Sequence, residues 1–261
     1  MKTQSILPKF LQPNVINTLK RVGGNNDGGY VIDKINISNA DALVGLGMSD
    51  DWSFEEDFNS INSVPTYIYD ETVSLKKFLK KCFKYIIRFN KPKIFIHWFK
   101  TSYNYIKFFQ GNKFHCKKLV GIDLPPNYLS LTTILNKLKT EKFSHIYLKI
   151  DIEGWEYRLL QDLIVNSEII EGLVIEFHDL DLHLDRIERF IKKFPLQLVH
   201  VHCNNYSPLN IHNTPIAIEC TFTCEKTSNQ LVTNLPNTLD MPNNPLIKEY
   251  TIDFSDKVLS F

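Results

Sequence analysis

The most chemically loaded stretch of this chain is Leu148-Lys149-Ile150-Asp151-Ile152-Glu153-Gly154-Trp155-Glu156, an apolar run that delivers acids to a glycine turn. A buried strand ending this way places its acids at a carboxyl end, where open α/β sheets bind ligands. Other apolar runs end similarly. Val44-Gly45-Leu46-Gly47-Met48-Ser49-Asp50 carries glycines that let backbone approach a ligand closely, and Asp70 closes the following run. An acid about 20 residues beyond such a turn can accept hydrogen bonds from both hydroxyls of a ribose. Glu176 lies in the run Leu173 to Phe177, which ends at His178, and Leu198 to Val201 leads into His202, Cys203, Asn204 and Asn205.

The turn after the first run separates two classes of adenosine ligand. It lacks the third glycine of a dinucleotide fingerprint and offers Ser49, Asp50 and Asp51 where a pyrophosphate needs uncharged backbone donors. Carboxylates there suit the ammonium of an amino acid better than a phosphate.

These residues need a scaffold, and the pattern supplies one. Ala42 to Leu46, Thr66 to Tyr69, Ile146 to Ile150, Leu173 to Phe177, Leu198 to Val201 and Ile216 to Phe222 read as strands. Helical stripes follow at Leu159, Leu160, Leu163 and Ile164, and at Leu184, Ile187, Phe190 and Ile191. The alternation predicts an α/β sheet, mostly parallel. The 261 residues fit one such domain with an insertion, here about 73 to 118. No Asp or Glu occurs between Glu71 and Asp123, while Leu75, Phe78, Leu79, Cys82, Phe83, Ile86 and Ile87 recur at helical spacing among lysines. That opening reads as a basic amphipathic helix ended by Pro92, and the aromatic stretch from Phe95 to Phe109 as a cap beside the cofactor edge. Thr227 to Pro245 reads as a surface loop.

Composition narrows the classes. A formal charge of +1 excludes a globally basic nucleic-acid binder, and no nucleic-acid motif accompanies the local lysines. The basic insertion is either a solvated helix face or an attractor for an anionic acceptor or membrane surface. Five cysteines without paired spacing fit reduced thiols rather than a disulfide framework or a zinc site. Met1 to Phe10 has no secretory apolar run and no stretch reaches a membrane span, so the expectation is a cytoplasmic protein.

Taken together, Gly45 to Ser49, Asp70 and Lys149-Ile150-Asp151-Ile152-Glu153-Gly154-Trp155-Glu156 resemble the FkbM-type methyltransferase family, whose fourth strand is marked by Lys-Ile-Asp-x-Glu-Gly-x-Glu. Arg21-Val22-Gly23-Gly24-Asn25-Asn26-Asp27-Gly28-Gly29-Tyr30, Glu176-Phe177-His178, His200 to Asn205, Glu219 to Phe222 and Leu235 to Asn243 look like one branch of it. The insertion has no counterpart. The resemblance implies a Rossmann-like class I methyltransferase sheet with an antiparallel edge strand, S-adenosylmethionine as cofactor and O-methylation of a sugar, nucleotide-activated or polysaccharide-linked, in cell-surface (capsule) polysaccharide synthesis. It adds Asp27 to Gly45, Gly47, Met48, Ser49 and Asp70 as expected cofactor contacts.

A sugar hydroxyl is a poor nucleophile at neutral pH and needs a base or a metal ion. His202 or His178 is the expected base, with Asp151 and Glu153 orienting it or touching substrate. Glu176, Asn204 and Asn205 are expected on the substrate side. Asp151, Glu176 and His202 could also hold a divalent cation. A hydrogen-bonded histidine supporting a loop is the plainer role for either His. The rivals are an NAD(P)-dependent oxidoreductase and a non-catalytic glycan- or nucleotide-binding module.

Overall fold

Short apolar runs become strands here because both faces of the sheet are covered, so each run is buried along its whole length. The computed structural model describes residues 4–87, 91–228 and 230–256. In chain order its elements begin with β1 (Gln4–Pro8), β2 (Leu19–Gly23), β3 (Gly29–Asp33), α1 (Lys34–Asn39), β4 (Ala42–Leu46), α2 (Ser53–Ile61) and β5 (Thr66–Tyr69). Then come α3 (Leu75–Ile87), α4 (Pro92–Phe108), β6 (Lys113–Cys116), β7 (Leu119–Val120), β8 (Tyr128–Leu129), α5 (Leu131–Thr140) and β9 (Ile146–Ile150). The chain continues through α6 (Leu160–Val165), β10 (Ile170–Phe177), α7 (Leu180–Lys193), β11 (Gln197–Cys203), β12 (Ile218–Thr223) and β13 (Thr251–Ser255).

Seven strands form the main sheet in the order β11-β12-β10-β9-β4-β5-β6. The β4, β5, β6, β9 and β10 pairings are parallel, whereas β12 runs antiparallel to both β10 and β11 and sits inside the edge strand β11. This is the α/β, mostly parallel sheet that the strand pattern led us to expect, with its antiparallel pairing confined to one edge.

The two faces of the sheet differ in chemistry. One bears Val44, Leu46, Leu148, Ile150, Ile175, Phe177, Cys220 and Phe222, and packs into a core with α5, α6 and α7. On the other, register aligns Gly45 with Lys149, and Glu176 with Glu219 and then His202, so ionisable groups run across neighbouring strands. The β2–β3 hairpin, α1 and α2 cover this second face, with Phe54 and Phe58 of α2 packed on Tyr147.

The stretch expected as one insertion divides in two. Its last part is β6, which pairs in parallel with β5 and is the sheet's other edge, so Lys113 to Cys116 belongs to the core architecture. Helices α3 and α4 therefore make up the β5-to-β6 crossover. They meet through Phe78 on Trp98 and Cys82 on Ser102, and Trp52 anchors them beside the turn that follows β4.

Candidate active site

The backbone after β4 is drawn against the backbone after β9. Gly47 has φ of +79°, and a Cβ there would fall 1.8 Å from the Asp151 carbonyl oxygen, so only glycine allows the two turns to touch. Asp70 at the end of β5 fixes the first turn. Its Oδ2 accepts from the Met48 and Ser49 amides, each at 3.1 Å, while Oδ1 accepts from the amide and hydroxyl of Thr72 at 2.7 and 2.6 Å. Burial pushes the Asp70 carboxyl up, but these bonds from Thr72, Met48 and Ser49 outweigh it and hold the group below its usual value. Both oxygens are engaged in holding the turn.

Lys149 is the charge inside β9. A buried ammonium must be paired, and its Nζ donates to the Gly47 carbonyl at 2.9 Å and lies 3.5 Å from Asp151 Oδ2. Burial pulls its pKa down, and Asp151, Glu55 and Glu176 more than restore it. Asp151 also accepts from the Tyr30 hydroxyl at 3.2 Å. Lysine and tyrosine thus hold the Oδ2 side of the carboxylate.

Beyond Asp151 the chain turns sharply, with Glu153 at φ +55° and Gly154 at +94°. Glu156, fully buried, organises this turn by accepting from the Ile152 amide at 3.0 Å and the Gly154 amide at 3.0 Å. The same carboxylate takes His178 Nδ1 at 3.0 Å. That bond aims the other ring nitrogen, Nε2, at three carboxylates: Glu153 at 3.5 Å, Glu176 at 3.6 Å and Asp151 at 3.9 Å. Burial alone would lower the pKa of His178, but Glu156, Glu176 and Asp151 carry it up to about 9. At neutral pH the ring is therefore an imidazolium, which gives it no capacity as a proton acceptor. Glu176 shifts well above the carboxylate range through burial and through repulsion by Asp151 and Glu219, while its Oε1 takes the Asn204 amide at 2.7 Å.

A cavity of about 390 Å³ joins these parts, lined by Asp27, Gly47, Met48, Ser49 and Asp70 and by Lys149, Asp151 and Glu153. Leu119, Val120 and Trp155 give it an apolar wall, with the Trp155 ring stacked on Tyr128 at 5.9 Å. Asp27 is raised first by burial and then by neighbouring Asp151, Glu219 and Asp51, against the hydrogen bond from Asn243.

Six expected site residues do not line this cavity: His178, Glu176 and Asn204 reach it only through Asp151 and Glu153, and Gly45, His202 and Asn205 lie elsewhere. Gly45 is an interior strand residue; a Cβ there would sit 2.7 Å from Glu55 Oε1, so its role is to admit that buried carboxyl. His202 is buried, with Nδ1 3.1 Å from Glu219 and Nε2 3.3 Å from Glu249, because in-register pairing with β12 turns it into the sheet's covered face. Asn205 is saturated by the 244–247 loop, donating to the Asn244 and Ile247 carbonyls and accepting from the Asn244 amide. Consequently Asp151, Glu176 and His202 do not form a cation site. Asp151, Glu153 and His178 do bring ligand atoms within 4.8 Å of one another.

Tyr30, Lys149 and Glu156 were not singled out from sequence. A lone lysine inside five buried strand residues was a usable sign, since it must have acidic partners. An acid in the first turn after the strand was another, since free amides there need acceptors.

No protein-family model matches the chain, and no curated protein matches it. Solved structures give only distant likenesses. The fibrillarin/Nop5p complex is 11% identical over 70% of this chain and 72% of that one, with a TM-score of 0.36. The mutant 16S rRNA (adenine(1408)-N(1))-methyltransferase from Catenulisporales acidiphilia is 8% identical over 74% and 92%, with a TM-score of 0.36. A putative riboflavin biosynthesis protein from Shewanella sp. PV-4 is 10% identical over 74% and 78%, with a TM-score of 0.25.

Proposed function

We propose that this chain is an S-adenosylmethionine-dependent O-methyltransferase acting on a sugar hydroxyl, with a nucleotide-linked sugar of cell-surface polysaccharide synthesis as the acceptor. The observation that carries this reading is that Asp70 and Asp151, at the ends of β5 and β9, line one cavity. Its lining, where Asp27, Asp51, Asp70, Asp151 and Glu153 outnumber Lys118 and Lys149, fits a cationic amino-acid sulfonium better than a pyrophosphate. When bound, the donor supplies an electrophilic methyl group on sulfur.

The chain's residues then have separable tasks. Gly47, Met48 and Ser49, clamped by Asp70, shape the donor end, and the apolar wall of Leu119, Val120 and Trp155 suits an adenine ring. Asp151 and Glu153 face the acceptor. A carboxylate beside the acceptor would take the hydroxyl proton as the bound donor supplied its methyl group to that oxygen. Asp151 is the assigned acceptor, because His178 is already protonated at neutral pH. Glu156 supports His178 from behind at Nδ1, and Glu176, held by Asn204, faces its Nε2. With the His178 ring deprotonated, Asp151, Glu153 and His178 would be placed to hold a divalent cation, which would lower the pKa of the acceptor hydroxyl.

Calorimetry with S-adenosylhomocysteine tests the donor half: micromolar binding is expected, and tighter binding of a dinucleotide would select an oxidoreductase. A panel of nucleotide-activated sugars with labelled donor, with and without chelator, tests the acceptor half. No labelled sugar from any of them would remove the carbohydrate assignment.

A further inference from the structure

Helices α3 and α4 each carry a stripe of exposed apolar side chains. On α3, Phe78 and Cys82 face inward, while Leu79, Phe83 and Ile86, spaced four and three apart, form a second stripe that is 49, 65 and 46% exposed. On α4, Trp98, Ser102 and Tyr105 face inward, and Ile96, Phe99, Tyr103 and Ile106 make a similar stripe, 48 to 62% exposed. Seven of the eighteen exposed large apolar side chains among the described residues thus lie on two neighbouring helices.

Charge is segregated in the same place. Between Glu71 and Asp123 there are thirteen Lys and Arg residues and no acid, whereas the rest of the chain has seventeen basic against 29 acidic residues. Lys76, Lys80, Lys84, Lys93, Lys100 and Lys107 border the apolar stripes on the two helices, with stems long enough to let side chains insert while ammonium groups stay at headgroup depth.

We propose that the α3–α4 pair docks the protein on an anionic membrane surface, with its apolar stripes entering the headgroup region and its lysines pairing with lipid phosphates. This inference stands independently of the methyl-transfer reading. Charge complementarity selects the occupant. A second copy would bring two sets of the lysines of α3 and α4 together, and a nucleic acid would use the lysines but leave Phe83, Phe99 and Ile106 without partners. An anionic bilayer uses both, and it repels the acidic remainder of the chain, which orients the α3–α4 pair toward it. Among the described residues no helix is long and apolar enough to cross a membrane, so the contact is peripheral. Helix α4, at 17 residues, is about 25 Å long, enough to lie along a planar surface.

The test is co-sedimentation of the full chain with phosphatidylcholine vesicles and with vesicles also containing phosphatidylglycerol. Binding to the anionic vesicles only is expected, with about fivefold weakening for each lysine removed near the surface and release at high salt. Phe83→Ser with Phe99→Ser should lose at least tenfold in partitioning while keeping the wild-type melting curve. Absence of binding to the anionic vesicles would overturn the proposal, as would undiminished binding by the double variant. Self-association on light scattering that the same variant abolishes would overturn it in favour of a second copy.

Discussion

The turn after β9 and the α3–α4 pair are both rich in charge, and they treat it oppositely. Around Glu156 the buried charged groups are packed against partners: two backbone amides and His178 converge on one buried carboxylate, and Asp151 is held by Tyr30 and Lys149. Along α3 the lysines stand in solvent and apolar side chains stand beside them. The first region is over-determined, so each side chain has one orientation and chemistry can depend on it. The second keeps hydrophobic surface in reserve for something outside the molecule. One aromatic ring marks the frontier between them: Trp52 follows the turn after β4 and touches Phe78, Tyr105 and Phe108 of the helices and Phe109 just beyond them.

Removing that ring should give the largest effect. Trp52→Ala is expected to lose about 3–5 kcal/mol in urea unfolding, the usual result of emptying an aromatic core site. A loss under about 1 kcal/mol would mean the helices are held some other way. On the acidic side, Asp151→Asn should cut kcat/KM by about 10²–10⁴-fold, the range for loss of a proton acceptor, with S-adenosylhomocysteine binding nearly unchanged. Glu156→Gln acts through His178. The ring should titrate well below about 9 by NMR in chelator-treated protein, because its strongest partner has lost its charge. A His178 titration point that stays put would remove Glu156 as the positioning residue.

Glu55 offers a smaller effect with a defined sign. Burial raises its pKa to about 7, against the favourable influence of Lys149, and Oε1 has no hydrogen-bond partner where it faces Gly45. A carboxyl raised on folding stabilises the protein while protonated, and that stability is lost as pH rises from the unfolded value near 4.5 through about 7. Glu55→Gln should therefore be more stable than wild type above pH 7, by about 1–3 kcal/mol, and equal to it near pH 4. A wild type that outlasts the glutamine variant at pH 8 would show that the Lys149 pairing dominates instead.

The frame of the molecule was legible because it rests on local patterns. The apolar runs that became β4, β5 and β9 have the same limits in the structure as in the sequence reading, and each ends in the acid or turn that lines the cavity. What stayed hidden depends on long-range register. Nothing local distinguishes His178 from His202, since each follows an apolar run. Only the pairing of β11 with the antiparallel β12 directs His202 to Glu219, and only Glu156 turns His178 toward the cavity rim. Gly45 misled for a related reason. Gly-x-Gly reads as a ligand turn, but the first glycine is still in the strand and faces a helix carboxyl 10 residues away in sequence. Likewise, the acid-free stretch looked like a single insertion because charge, not hydrogen bonding, marked its limits, and β6 was hidden within it.

The smallest expected effect is also the sharpest on the contrast between the regions. Phe78 and Phe83 lie five residues apart on α3, the first fully buried against Trp98 and Tyr105 and the second 65% exposed. If α3 is an ordinary core helix with a ragged edge, serine at either position should cost stability. If it is anchored on one stripe and offered to a membrane on the other, Phe83→Ser should change unfolding free energy by less than about 0.5 kcal/mol, while Phe78→Ser costs several. Urea melts of the two variants decide this without any lipid present. A cost for Phe83→Ser close to that for Phe78→Ser would mean that the outer stripe is covered within the protein in solution.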